Sequence, residues 1–465
     1  MKKLKKWCLA PLLILCTCFN PLDSNSEQDA TLSITLPSWS AGTDKAAWDT
    51  GILTYEVTGD GPSGKSFSKT APAGDTVTVR IVPGTWQVQI KATAAGITPP
   101  GEYEVDSEIQ NISVKAGVTN KPEITMRFRR TDYIHDYLSN VDTAPIVPPQ
   151  PVSLHLAMAL GNQAWFDLLS AISSVGKSVA LNLSACTEDP GAAYGLMAGG
   201  VFDPYSTLVP GKEDIESLIL PEAADSILGY TPATFNNFTG LKHVDTGNGI
   251  TDIGNYAFFG LGLTSVTLGN NVAIIGDHAF EINSYLESVI IPDSVTDIGE
   301  YAFAGCSLET LTIGNHVTTI GDSAFAGNQL TSVIIPDSVT TIGDNAFESN
   351  ILSTITIGDN VETIGVSAFS DNELAGELII PDSVNDIGNS AFFDNEITKV
   401  TIPDNITIGW TAFFNNVNLT TVIFKGDNVT LEINTFENSL YGVFNGPGGG
   451  AGTYELDGSS TWVKQ

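Results

Sequence analysis

An Ala-Phe pair, once Thr-Phe, recurs nine times in the second half of the chain, at Phe258, Phe280, Phe303, Phe325, Phe347, Phe369, Phe392, Phe413 and Phe436. The spacings are 22, 23, 22, 22, 22, 23, 21 and 23 residues. A unit that short cannot bury its own apolar face, so it must stack on its neighbours, and the period dictates a solenoid. A solenoid offers a long repetitive surface for holding a partner and seldom a catalytic pocket.

One coil, read from Leu330, runs LTSVIIPDSVTTIGDNAFESN. Leu330, Val333 and Ile335 give the spacing L-x-x-V-x-I, which returns at Leu263-Val266-Leu268, Leu286-Val289-Ile291, Leu308-Leu311-Ile313, Leu352-Ile355-Ile357, Ile397-Val400-Ile402 and Leu419-Val422-Phe424. Its second half alternates inward and outward as a short strand does. Pro336, Gly358 or Pro381 then ends the strand. A second anchor follows, Ile-Gly-x-x-Ala-Phe, in which Ile342, Ala346 and Phe347 face the core and Gly343 permits close backbone approach.

Three residues after most of these phenylalanines stands Asn or Cys: Asn283, Cys306, Asn328, Asn350, Asn372, Asn395 and Asn416. An inward Asn at a bend is costly unless its amide satisfies backbone groups, and a stacked column of them can bond the turns of adjacent coils. Cys306 fits that column as a small, apolar-tolerant substitute rather than as a reactive thiol. With these columns in place the chain resembles leucine-rich repeats, whose core is L-x-x-L-x-L-x-x-N/C. The 22–23-residue period and the IGxxAF half resemble the bacterial, BspA-like (treponemal) subclass, over roughly residues 179 to 440.

The residue pointing outward from the strand also alternates: Thr267, Ile290, Thr312, Ile334, Thr356, Ile379, Thr401, Ile423. The residue after the strand follows suit, Gly269, Pro292, Gly314, Pro336, Gly358, Pro381, until Pro403 breaks the pattern. Coils therefore come in pairs of about 44–45 residues, as duplication of a two-coil unit would leave them. The resulting Thr/Ile ladder with almost no charge reads either as an interaction surface or as packing between neighbouring Ile and Thr methyls.

The 465 residues exceed one compact domain. Net charge is −33, from 53 acidic and 20 basic residues, and such a surface repels phosphate backbones, which argues against nucleic acid. Cys8, Cys16 and Cys18 fall in the leader, leaving Cys186 and Cys306, so no disulfide framework is indicated.

MKKLKKWCLAPLLILCTC, residues 1–18, has a basic start and an apolar run from Trp7 to Leu15, the form of an export signal too short to span a bilayer. Leu15-Cys16-Thr17-Cys18 resembles a bacterial lipobox with Cys18 as the acylated residue; Thr17 departs from the usual small residue, and Cys16 fits worse. Residues 19–30 suit a tether, and buried acyl methylenes, each contributing about 0.8 kcal/mol, would hold the chain on a membrane.

Residues 31–128 alternate as TLSITLP, ILTYEVTG, TVTVRIV, TWQVQIKAT, YEVDSEI and EITMRF, the pattern of an all-β sandwich. VPGTWQVQIKATAAG resembles a hairpin of small extracellular Ig-like or carboxypeptidase-regulatory-like domains, which implies a spacer. A linker over 129–151 carries Pro145, Pro148, Pro149 and Pro151, dense enough for a stiff extended connector. Trp165, Leu168, Leu169 and Ile172 then repeat at helical spacing, predicting a helix that caps the first coil within 152–214. Repeats occupy 215–440, and Tyr454 and Trp462 mark a C-terminal cap over 441–465. The fold class expected is β-rich: an N-terminal Ig-like β-sandwich followed by a leucine-rich repeat solenoid of short parallel strands.

GDGPSGKS, from Gly59 to Ser66, matches the phosphate-binding loop G-x-x-x-x-G-K-[ST]. That chemistry needs backbone amides at a helix N-terminus, and SFSKTAPAGDTVTV after it reads as strand, so a hairpin loop is expected. His135, His155, His243, His278 and His316 form no metal-spaced set, and no nucleophile–base arrangement stands out. Asp293, Asp337, Asp382 and Asp404 recur at one turn, and Asp277, Asp322 and Asp344 at another. Such columns suit calcium or, more plainly, turn initiation and capping. No cofactor or metal site is expected.

The resemblance implies an exported, lipid-anchored surface protein without enzymatic activity. Its partner would be an extracellular or host matrix protein, since BspA-like proteins are associated with adhesion. The strand ladder, centred on Ile334, Thr356 and Ile379, is the candidate contact face. The alternative is a glycan- or envelope-binding scaffold, for which no outward aromatic ladder is evident.

Overall fold

The computed structural model describes residues 12–18, 30–35, 53–60, 64–72, 76–81, 84–94, 105–107, 110–114, 123–124, 126–128, 152–156, 159–160, 162–175, 177–188, 201–202, 211–224, 226–227, 235, 238–437, 440–446, 449–457 and 460–465. They fall into two units, Met1–Gly195 with Leu208–Leu218, and Leu196–Thr207 with Ile219–Gln465.

The first unit opens with antiparallel sheets, as the alternating segments predict. Thr76–Ile81, Ala30–Thr35, Leu12–Cys18 and Glu123–Ile124 lie side by side in that order. In the second sheet Gly84–Ala94 pairs with Leu53–Asp60, Val105–Ser107 and Gln110–Val114. Leu53–Asp60 also pairs with Ser66–Pro72, from Thr54 opposite Pro72 to Asp60 opposite Ser66. Val57, Val88 and Ile90 are fully buried there, the inward half of an alternating pattern. Beyond the prolines, Val152–His155 runs parallel to Val179–Asn182, joined through the helix Asn162–Val175. The helix therefore bridges two parallel strands. Parallel neighbours require a long crossover, and Val152–His155 is too short a run to stand out beside the prolines. Leu168, Leu169 and Ile172 of the helix are buried as their spacing predicts.

The second unit is the solenoid. Its Ile-Gly steps form one parallel sheet of eleven strands, from Val201–Phe202 through Thr319–Ile320 and Thr341–Ile342 to Val429–Leu431. The close stacking of coils explains the glycines: a Cβ on Gly343 would stand 2.6 Å from the backbone nitrogen of Asp322. Inside, the phenylalanines stack ring on ring, 5.0 to 5.6 Å apart from Phe258 to Phe436. The stack starts one coil earlier than the Ala-Phe count, at Phe235, 4.5 Å from Phe258. Thr234 replaces the alanine there, as Thr435 does at the far end, so the signal was present in the sequence.

The Asn column does what its position demands. Asn328 donates through Nδ2 to the carbonyls of Phe303 and Phe325 (2.9 and 3.0 Å), and its Oδ1 accepts the N–H of Leu308 at 3.0 Å. Asn350, Asn372 and Asn416 repeat this three-way bond. Cys306 donates its thiol to the Phe280 carbonyl at 3.3 Å. Thiol sulfur is a weak acceptor, so the N–H of Leu286 turns instead to the carbonyl of Asn283 at 2.9 Å. That local turn is made possible by an insertion: Ser284 and Tyr285 separate Asn283 from Leu286, where Gln329 alone separates Asn328 from Leu330.

The residue before each Ala-Phe lies in the left-handed region: Tyr256, His278, Tyr301, Ser323, Asn345, Ser367, Ser390 and Thr411 have φ between 53° and 59°. This is unfavourable for a non-glycine residue, and for the β-branched Thr411 most of all. It is offset by aiming the N–H at the next coil, as from Ser323 to the Asp344 carbonyl at 2.7 Å. At the C-terminal end Gly452–Leu456 pairs antiparallel with Thr421–Phe424, and Trp462–Lys464 pairs with it in turn. Phe424, Phe444 and Tyr454 cluster there, and Trp462 donates to the Glu437 carbonyl at 3.0 Å.

Candidate functional site

The L-x-x-V-x-I strands form the second face of the solenoid, and its ladder is broken where the other is continuous. Ser288–Ile290 pairs only with Thr310–Thr312, and Ser332–Ile334 only with Thr354–Thr356. Each pair is an Ile coil followed by a Thr coil, the two-coil unit read from the sequence. Burial alternates in step. Val289 and Val333, at the centres of Ile-coil strands, are buried, whereas Leu311 and Ile355 in Thr coils are half-buried. The Gly/Pro alternation has a local cause: a Cβ on Gly314 would stand 2.3 Å from the carbonyl oxygen of Pro292, and one on Gly358 2.4 Å from that of Pro336. Only glycine lets a Thr coil rest on the preceding proline.

Ile290, Ile334 and Ile379 project outward with 69, 70 and 59 % of their surface exposed. Thr267 before them and Thr312 and Thr356 between them are exposed, and their hydroxyls have no hydrogen-bond partner among the described residues. Thr401 and Ile423 are only half-buried, because the C-terminal strand lies alongside and sets Thr453 opposite Ile423. The open ladder thus has six positions, not eight. The register sets Thr312 beside Ile290 and Thr356 beside Ile334, so each isoleucine neighbours a threonine and no isoleucine neighbours another.

Carboxylates rim this face. Glu287 and Glu309 precede the strands, and Asp293, Asp337, Asp359 and Asp382 follow them, all exposed. From 243 to 398 the sequence has 22 Asp and Glu and no Lys or Arg. Lys399 and Lys425, the next cations, are engaged by Glu377 (2.9 Å) and Asp382 (2.6 Å).

The acidic columns also staple coils. Asp293 accepts the N–H of Asn315 at 2.8 Å, Asp337 that of Asp359 at 2.9 Å, and Asp322 that of Asp344 at 2.8 Å. Among the described residues no three metal-ligating groups converge. Cys186 and Cys306 are buried thiols outside any disulfide. Burial pushes the Cys306 thiol up to about 12, the opposite of what a nucleophile needs.

Leu53–Asp60 and Ser66–Pro72, which flank GDGPSGKS, pair antiparallel, so among the described residues Lys65 is followed by a strand and not by the helix that a phosphate cradle needs. Cys18 ends the strand Leu12–Cys18, opposite Ala30. No helix among the described residues is long and apolar enough to cross a membrane. His135 and residues 143–151 of the proline linker lie outside the described residues.

One feature escaped the sequence reading. Tyr256, His278 and Tyr301 form an outward aromatic ladder, with ring centroids 4.3 and 4.9 Å apart and planes within 13°. The signal was there, one aromatic before Ala-Phe in three successive coils. The facing rings occupy one another, so His278 has no open face on which a sugar could stack.

Residues 211–331 and 318–441 match the model of the BspA type leucine-rich repeat region, in six copies. The repeat array of this chain belongs to that family. Among solved structures it is similar to a leucine-rich repeat protein from Bacteroides ovatus (24% identity over 45% of this chain and 64% of that one, TM-score 0.34). It is also similar to the pneumococcal vaccine antigen PcpA (17%, 48% and 73%, TM-score 0.28). A third is a leucine-rich cell surface protein from Faecalibacterium prausnitzii (20%, 45% and 83%, TM-score 0.21). The chain thus spans less than two thirds of the Bacteroides ovatus protein. No curated protein matches.

Proposed function

We propose that this chain is a bacterial surface lipoprotein that binds a protein partner through the strand face of its repeats, without catalysis. The observation that carries the reading is the row of exposed isoleucines, Ile290, Ile334 and Ile379, on a face otherwise made of hydroxyls. Large apolar side chains repeated in line on a surface are the mark of a contact site. The repeat family and the surface location named for one of the similar structures support it. Acylation at Cys18 anchors the chain to the cell envelope, residues 19–30 tether it, and an Ig-like sandwich over 31–128 holds the array away from the membrane. The partner is an extracellular or host matrix protein.

Ile334→Asp alters only an exposed side chain, so the array stays folded while saturable binding to a panel of matrix proteins falls. Unchanged affinity for a bound protein would move the site off the strand face. Cys18→Ala should release the protein from membranes; retention there would end the anchor assignment.

A further inference from the structure

We propose that the strand face takes a basic polypeptide segment in the polyproline II conformation, lying along the solenoid axis with an apolar residue at every third position. This rests on the strand face being the binding surface and names what fits it.

Three observations converge. The first is the period. Exposed isoleucines recur every second coil, across one paired strand step of about 4.7–4.9 Å and one unpaired step, so at roughly 10 Å. A polyproline II helix repeats every three residues, about 9.3 Å. A fully extended strand presents one face about every 6.6–6.8 Å and loses register after one step. An α-helix presents a heptad position about every 10.5 Å and stays near enough to compete.

The threonines decide between these two. Thr312 stands between Ile290 and Ile334, and Thr356 between Ile334 and Ile379, their hydroxyls exposed and unbonded among the described residues. An α-helix has already bonded its interior N–H and C=O groups and offers such hydroxyls nothing. A polyproline II chain has no internal hydrogen bonds, so it presents free carbonyls at every turn. The Ile-Thr alternation then reads as one apolar contact and one hydroxyl-to-backbone bond per turn of ligand.

The third observation is charge. Glu287, Glu309, Asp293, Asp337 and Asp359 border the ladder with no Lys or Arg between 243 and 398, while Asp382 at its end is already paired with Lys425. The complementary segment carries Lys or Arg on the edges of its helix that face these rims.

The test titrates the full chain with two synthetic peptides about 12 residues long, one built of Leu-Pro-Lys repeats. The other has the same numbers of Leu and Lys on a helix-forming Ala background, Leu at heptad positions. The repeat peptide should bind at least about tenfold more tightly than the helical one, and more weakly as salt rises. The double variant Thr312→Val with Thr356→Val, which keeps shape and loses the hydroxyls, should weaken it severalfold, and Ile334→Ala about tenfold. Equal affinity for both peptides, or no effect of the valines, would overturn the assignment. A matrix protein that binds and is lost in Ile334→Asp, while neither peptide binds, would overturn this inference and leave the proposed function standing.

Discussion

The two sheets of the solenoid are built from the same coils and answer to different constraints. The sheet that contains the Ile-Gly steps runs unbroken through eleven strands. The strand face breaks into two isolated pairs in mid-array, flanked by five-stranded sheets, with Ile coils and Thr coils there differing in burial, exposed side chain and turn residue. The variation at the turn has a cause inside the chain, since Gly314 rests on Pro292 and Gly358 on Pro336, whereas the outward Thr/Ile column has no such internal requirement and is the part assigned above to a partner.

If the interior and the strand face are separate in this way, substitutions should sort into two groups. Phe325→Ala removes a ring stacked between Phe303 and Phe347 and should cost about 3–5 kcal/mol in chemical denaturation. Asn328→Ala leaves the Leu308 N–H and two carbonyls unsatisfied in the interior, a loss of about 2–3 kcal/mol. On the strand face, Gly314→Ala drives a methyl against the Pro292 carbonyl and should cost about 1–3 kcal/mol. An equal cost for Gly314→Ala and Phe325→Ala would erase the distinction between interior and turn. Cys306→Ala gives up one weak bond, and about 1 kcal/mol is expected. Its thiol should resist alkylation at neutral pH until the chain is unfolded, because the protonated form persists to about 12. Ile334→Asp should leave the unfolding midpoint unchanged, within about 0.5 kcal/mol, while altering binding. A large shift there would mean that the ladder holds the fold together after all.

Much of this was readable from residues alone. The Leu, Phe and Asn columns each serve a neighbour one coil away, so their period records their contacts directly. The Thr/Ile alternation was equally plain, and the broken ladder and the Gly314–Pro292 contact supplied its physical basis. Three features were hidden. The crossover role of Asn162–Val175 depends on a strand of four residues, too short for periodicity to register. The Tyr256-His278-Tyr301 ladder sits where other coils carry Ser or Asn, so it never became a column. The half-burial of Thr401 and Ile423 comes from Gly452–Leu456, a segment outside the repeat and invisible to its period.

The resting of Gly314 on Pro292 and of Gly358 on Pro336 also constrains how an array like this can grow. Duplicating an Ile coil together with its Thr coil recreates every junction already present, and the gene can lengthen or shorten by that step without inventing a new contact. The alternation ends where like turns meet, at Gly269 resting on Gly247 and at Pro403 following Pro381, so the two-coil step holds for the middle of the array and not for its ends.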